Sequence, residues 1–181
     1  MKCYLCNKKA QIKQQKGRAV CNACFSRLIE KRIRKYTRLN QIFRPKDRIL
    51  VIGDLNKYFV KSIIKNLPIE IFYRAKEDKE FIKKKKINKV IAEWTIDDQV
   101  NRFLENLFLG NKSIKSRKSN ISLLAVITDD EAKLFAKINR LRFKENKKNK
   151  DVQKFLDDME KQDSGAKFRL LKNFDMLNRL T

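Results

Sequence analysis

The sequence predicts an α/β protein, a three-layer parallel sheet with an N-terminal four-cysteine zinc ribbon, and three observations carry that prediction. Cys3-x-x-Cys6 and Cys21-x-x-Cys24 place two paired-cysteine hooks ahead of everything else. Beyond Pro45, short aliphatic runs alternate with amphipathic stretches, the pattern left by strands and crossover helices of a parallel sheet. The chain has 181 residues, room for one ordinary domain and a small metal module.

Fourteen residues separate the hooks, with Gly17 in the polar tip between them. Each CxxC turn aims two sulfurs at one point, so the pairs can close a tetrahedral site. Structural Zn2+ is the expected ion and iron the alternative; four thiolates leave no open position for catalysis. No cysteine follows Cys24, which excludes a disulfide framework and points to a reduced, intracellular site. The absence of histidine removes the commonest general base and any Ser/His or Cys/His nucleophile. Lys and Arg number 45 against 21 Asp and Glu, a net charge of +24 that favours phosphate backbones as partners. The longest apolar runs are strand-sized and the amino terminus lacks a signal-peptide core, so a soluble, cytoplasmic protein without a membrane partner is expected.

Residues 1–26 are read as the ribbon, 27–44 as a basic connecting helix and 45–181 as the α/β domain. From Phe25 the apolar stripe Phe25, Leu28, Ile29, Ile33, Tyr36 and Leu39 packs inward. Lys31, Arg32, Arg34, Lys35 and Arg38 lie elsewhere around the helix and form the expected RNA-contact face. Asp47-Arg48 turns into a buried strand, Ile49–Ile52, followed by Gly53-Asp54 and a helix striped by Leu55, Phe59, Val60, Ile63, Ile64 and Leu67. Strand, glycine turn, helix is where open α/β sheets bind phosphate. Here, however, Gly53-Asp54-Leu55-Asn56-Lys57-Tyr58 offers one glycine, an acid and bulky side chains.

After Pro68, Ile69–Tyr73 reads as a second strand, and a charged segment runs from Arg74 to Lys83-Lys84-Lys85-Lys86, a solvated end or a track for an RNA backbone. Lys89–Trp94 is the third strand. Thr95-Ile96-Asp97-Asp98 matches a capping box, so both aspartates are read as capping groups, ahead of a helix with Val100, Phe103, Leu104, Leu107 and Phe108 inward. Gly110–Asn120 reads as a polar loop and Ile121–Ile127 as the most apolar strand. Thr128-Asp129-Asp130-Glu131 repeats the capping box before Ala132, Phe135, Ala136 and Ile138. Lys144–Lys150 is a basic linker; Val152, Phe155, Leu156 and Met159 stripe one more helix, and Phe168–Leu180 closes the chain.

This succession resembles the tRNA 2-thiolation proteins of the PP-loop (adenine nucleotide alpha hydrolase) superfamily, whose core is Rossmann-like. The resemblance is carried by Cys21-Asn22-Ala23-Cys24-Phe25 running into a helix, by Asp47 to Asp54 at the first strand and loop, by Ile96-Asp97-Asp98 with Leu104, Leu107 and Gly110, by Glu131, and by Phe155 to Leu171. The departures are informative. Gly53 to Tyr58 stands where the Ser-Gly-Gly-x-Asp-Ser pyrophosphate loop would, and Glu93-Trp94 stands where Gly-His would. Core cysteines and the carboxyl-terminal second zinc finger have no counterpart, and the segment between the second and third strands is shortened.

The resemblance therefore implies a degenerate member: a non-catalytic subunit that binds no ATP and forms a heterodimer with a catalytic PP-loop thiolase. Such a subunit would hold tRNA through its finger, the helix cations and Lys83 to Lys86. Two further readings stand beside it. One is a stand-alone zinc-ribbon RNA or ribosome binder; the other is an enzyme with an atypical ATP site around Gly53, Asp54, Lys57 and Asp98.

Overall fold

The computed structural model describes residues 1–13, 18–64, 67–108, 120–163 and 165–180, so Gly17 and the segment from Gly110 to residue 119 lie outside the described residues. A hairpin of β1 (Ile12–Lys13) and β2 (Ala19–Val20) leads into α1 (Asn22–Leu39). Then follow β3 (Arg48–Ile52), α2 (Asp54–Ile63), β4 (Glu70–Arg74), α3 (Lys79–Lys84), β5 (Lys89–Ala92), α4 (Ile96–Phe108) and β6 (Asn120–Ser122). α5 (Asp129–Ile138), α6 (Lys150–Gln162) and α7 (Ala166–Leu180) complete the chain.

The four long-range strands pair in parallel in the order β4-β3-β5-β6. The chain leaves β3 outward to β4 and then crosses back to β5, so the direction of winding reverses between β3 and β5. That reversal opens a crevice at the carboxyl ends of the two strands. Asp47 fixes the entry to β3: it accepts the Arg44 N–H at 2.7 Å and pairs with Lys89 of β5 at 2.6 Å.

Side-chain alternation divides the sheet into two buried faces. Ile49, Val51, Ile71, Ile91 and Ile121 point into the cluster that holds Phe25, Ile29 and Ile33 of α1, Phe59 of α2 and Phe135 of α5. Leu50 and Val90 alternate with them and are buried on the opposite face. There α3 sets Phe81 edge-on to Phe72 of β4, with ring centroids 5.7 Å apart. Burial on both sides accounts for the continuous apolar runs of β3 and β5. A second cluster joins Ile96, Val100 and Leu104 of α4 to Val152 and Leu156 of α6, with Phe168 of α7 against it.

Several expected details differ. α1 begins at Asn22, inside the second hook, and its stripe ends on Thr37 rather than Leu39, which is exposed. Steps of four from Phe25 reach Thr37, whose hydroxyl donates to the Ile33 carbonyl at 2.8 Å and so is buried without an orphaned polar atom. α2 stops at Ile63, leaving Leu67 exposed. Leu107, Phe108 and Phe155, expected inward, are exposed; Phe108 and Phe155 meet edge-on at the rim of the second cluster.

The Ile121–Ile127 run is not one strand. β6 ends at Ser122, and Leu123, Leu124, Ala125 and Ile127 are buried in a turn whose Ile127 N–H donates to the Leu124 carbonyl at 3.0 Å. A buried turn and a buried strand leave the same apolar run, so periodicity could not separate them.

Candidate functional site

The four cysteines meet at one point. The first hook is shaped by backbone bonds, Cys3 N–H to the Lys8 carbonyl at 2.8 Å and Asn7 N–H to the Cys3 carbonyl at 2.9 Å. The second is the start of α1: Cys21 is its N-cap residue and Cys24 lies in its first turn, where the helix dipole favours thiolate. All four sulfurs lie within 4.8 Å of one another, and Cys6 and Cys21 are 3.6 Å apart. Sulfurs of a tetrahedral zinc-thiolate centre stand about 3.8 Å apart.

The electrostatics favour a cation. Burial opposes ionisation of Cys3, yet amide hydrogen bonds from Cys21, Leu5 and Cys6 bring its thiol down to about 6. Cys21 is lowered as well, chiefly through the Cys24 amide. Cys24 is pushed up to about 12 by its contact with Cys6 and by burial, because another negative charge among these sulfurs is unfavourable. A bound metal ion removes that conflict. The donor set fits zinc, and it fits iron.

The expected RNA-contact residues divide into two groups on opposite sides of the sheet. Lys31, Arg34, Lys35 and Arg38 are exposed on α1, Arg34 leaning on Glu30 at 3.4 Å. Arg32 is engaged internally: its Nη1 donates to Glu131 Oε2 at 2.7 Å and to the Val126 carbonyl at 3.1 Å, fastening α1 to the start of α5. Lys83 and Lys84 close α3, and Lys85 and Lys86 follow it, suited to a helix carboxyl terminus. Because α1 belongs to the Ile71 face and α3 packs on Phe72, the two basic groups do not form one patch.

The turn after β3 is committed inward. Gly53 has φ +88° and caps α2. Asn56 is buried and its Nδ2 donates to the Ile52 carbonyl at 2.8 Å; the Tyr58 hydroxyl donates to Glu30 at 2.7 Å; Lys57 lies over the Tyr73 ring. Glu93, just past β5, reaches across the crevice, and its Oε1 accepts the Leu55 N–H at 3.0 Å. A Cβ at Gly53 would lie 2.3 to 2.5 Å from the carboxyl atoms of Glu93. Burial pushes Glu93 up to about 7, with Asp54 adding repulsion, while the Leu55 and Asn56 amides favour its charged form. In front of this contact lies a cleft of about 480 Å³ with Lys57, Arg74, Arg142 and Lys144 on its walls.

Asp97 and Asp98 do more than cap α4. Asp98 and Thr95 complete the capping box, with Thr95 N–H to Asp98 Oδ2 at 2.9 Å. Asp97 instead accepts the Asp129 N–H at 2.7 Å and pairs with Lys167 of α7 at 2.6 Å. Lys148 bridges Asp98 and Asp129 at 2.9 and 2.6 Å. Burial raises Asp97 despite Lys167, so this buried carboxylate depends on its partner. Nothing in the sequence marked Lys148 or Lys167, single lysines in a lysine-rich chain, as the partners of these aspartates.

Against known proteins, no family model matches the chain, and no curated protein matches its sequence. Among solved structures, it is similar to the U34-tRNA thiolase NcsA from Methanococcus maripaludis with its [4Fe-4S] cluster. The TM-score is 0.69, over 98% of this chain and 88% of that one, at 16% sequence identity. The fold is thus similar to that of this tRNA thiolase. At that identity the likeness speaks for architecture, including the expected parallel sheet. No helix among the described residues is long and apolar enough to cross a membrane.

Proposed function

We propose that the chain is a non-catalytic, tRNA-binding subunit of a wobble-uridine 2-thiolation complex in the cytoplasm, paired with a catalytic PP-loop thiolase. The observation that carries this reading is the turn at Gly53 to Tyr58. In a fold similar to that of a U34-tRNA thiolase, the amides at the start of α2 face the chain's own Glu93 carboxylate. Leu55, Asn56 and Tyr58 are engaged in internal contacts. This supports a chain that keeps the scaffold and the basic surfaces while the partner activates uridine with ATP and delivers sulfur. The ribbon's ion in this reading is structural zinc.

The test is a native pull-down of the tagged protein from its own cells, with mass spectrometry of protein and RNA and metal analysis of the purified chain. Recovery of a thiolase bearing an intact Ser-Gly-Gly-x-Asp-Ser loop together with tRNA, and about one zinc per chain, is the expected outcome. Recovery of RNA or ribosomes alone reassigns the protein as a free-standing RNA binder, and iron with visible charge-transfer absorption overturns the zinc assignment.

A further inference from the structure

The amides that open a helix after a glycine turn, at a crevice where a parallel sheet reverses direction, make a site for an oxyanion. In this chain that position already contains one. Glu93 Oε1 accepts the Leu55 N–H at 3.0 Å, and the carboxyl group fills the space above Gly53 so closely that no Cβ fits there. Gly53 is thus required for a reason internal to the fold: its missing side chain is the seat of the Glu93 carboxylate. The surrounding cleft is nevertheless rich in cations, lined by Lys57, Arg74, Arg142 and Lys144 against the two acids Asp54 and Glu93.

We propose that the turn from Gly53 to Asn56 is an oxyanion site whose resident ligand is the Glu93 carboxylate, which excludes phosphate groups from a basic cleft otherwise suited to them. Such a site involves only this chain's own residues. It deepens the non-catalytic part of the reading above, yet neither RNA nor a partner subunit is needed to test it.

Two features separate this contact from an ordinary cap. An N-cap side chain normally comes from the helix's own preceding residues, whereas Glu93 arrives from just past β5, 38 positions along the chain from Leu55. It also approaches a helix whose first turn already carries Asp54, so the carboxylate sits beside a like charge rather than relieving an unmet one. A free phosphate group would meet the same amides in a cleft whose walls carry four cations.

The experiment is titration of the full-length protein with inorganic pyrophosphate, followed by calorimetry and by the amide NMR signals of Leu55 and Asn56. Wild type, Glu93→Ala, Glu93→Gln and Asp54→Asn are compared. Glu93→Ala is expected to bind at least about tenfold tighter than wild type, the value of one competing charged hydrogen bond, with both amide signals shifting. Glu93→Gln, which keeps the volume and loses the charge, falls between them and serves if the alanine variant does not fold. Asp54→Asn removes the same charge from the same cleft but leaves Glu93 seated, so it gains about threefold or less. The proposal is overturned if natively folded Glu93 variants bind no better than wild type, if wild type itself shifts the two amides, or if Asp54→Asn gains as much as Glu93→Ala. Failure of the pull-down to recover tRNA or a thiolase leaves these outcomes unaffected.

Discussion

Gly53 and Glu93 are one structural unit, and mutation should reveal them as such. Gly53→Ala must both hold an L-residue at φ +88° and collide with the Glu93 carboxyl group. It is expected to cost about 2 kcal/mol or more in urea unfolding. In a Glu93→Ala background the collision disappears and the backbone strain alone remains, about 1 kcal/mol, so the two substitutions are non-additive. Additive costs would separate the pair.

The same carboxylate gives a pH signature. Glu93 is raised to about 7 in the folded protein from an ordinary value of 4.5, so between those values the folded state holds the proton more tightly than the unfolded chain. Its contribution to stability therefore falls as pH rises through that window. Glu93→Gln cannot titrate. Melting temperatures of the two proteins at pH 5, 6, 7 and 8 should show wild type losing ground against the variant from pH 5 to 7 and levelling off by pH 8; a constant difference throughout would falsify the assignment.

Between elements, the strongest dependence is the pairing of α4 with α7 through Asp97 and Lys167. Removing Lys167 leaves a buried carboxylate without its cation. Lys167→Met is expected to lose about 3 kcal/mol, and adding Asp97→Asn should recover much of that, as read by chemical denaturation. Which parts of these elements the sequence disclosed follows from the range of the forces involved. The Thr128 capping box was legible and is complete, with Thr128 Oγ1 accepting Glu131 N–H at 3.2 Å and Glu131 Oε2 accepting Thr128 N–H at 3.2 Å. Both bonds lie within four residues of chain. The ribbon was legible for the same reason, since spacing alone brings each hook's sulfurs together. Glu93 on the α2 amides and the engagement of Arg32 by Glu131 were not, because they join residues 38 and 99 apart that only the tertiary fold makes neighbours. Glu93 stood out as a departure from a resembled motif, but its role required the geometry.

At the scale of the molecule, the net charge of +24 is distributed over at least two separated surfaces, α1 on one face of the sheet and the end of α3 on the other. Neutralising Lys31, Arg34, Lys35 and Arg38 should weaken tRNA binding and reduce the slope of log affinity against log salt by about one for each phosphate no longer neutralised. Arg32→Ala should leave that slope nearly unchanged and lower the melting temperature instead, because its guanidinium is held by Glu131 and the Val126 carbonyl. Filter binding at several salt concentrations, beside a thermal melt, distinguishes the two classes. An equal drop in slope for both variants would return Arg32 to the RNA-contact set.

The fastening of α1 to α5 also dictates when the protein can become compact as it is made. The ribbon and α1 precede the sheet in the chain, and the four cysteines lie close enough in sequence to meet before the sheet is complete. The inner face of α1, Phe25, Ile29 and Ile33, can gather Ile49, Val51 and Phe59 soon after it is made, whereas Phe135 and the Arg32–Glu131 ion pair follow only about a hundred residues later. Until then the part of α1 that α5 covers stays open to solvent.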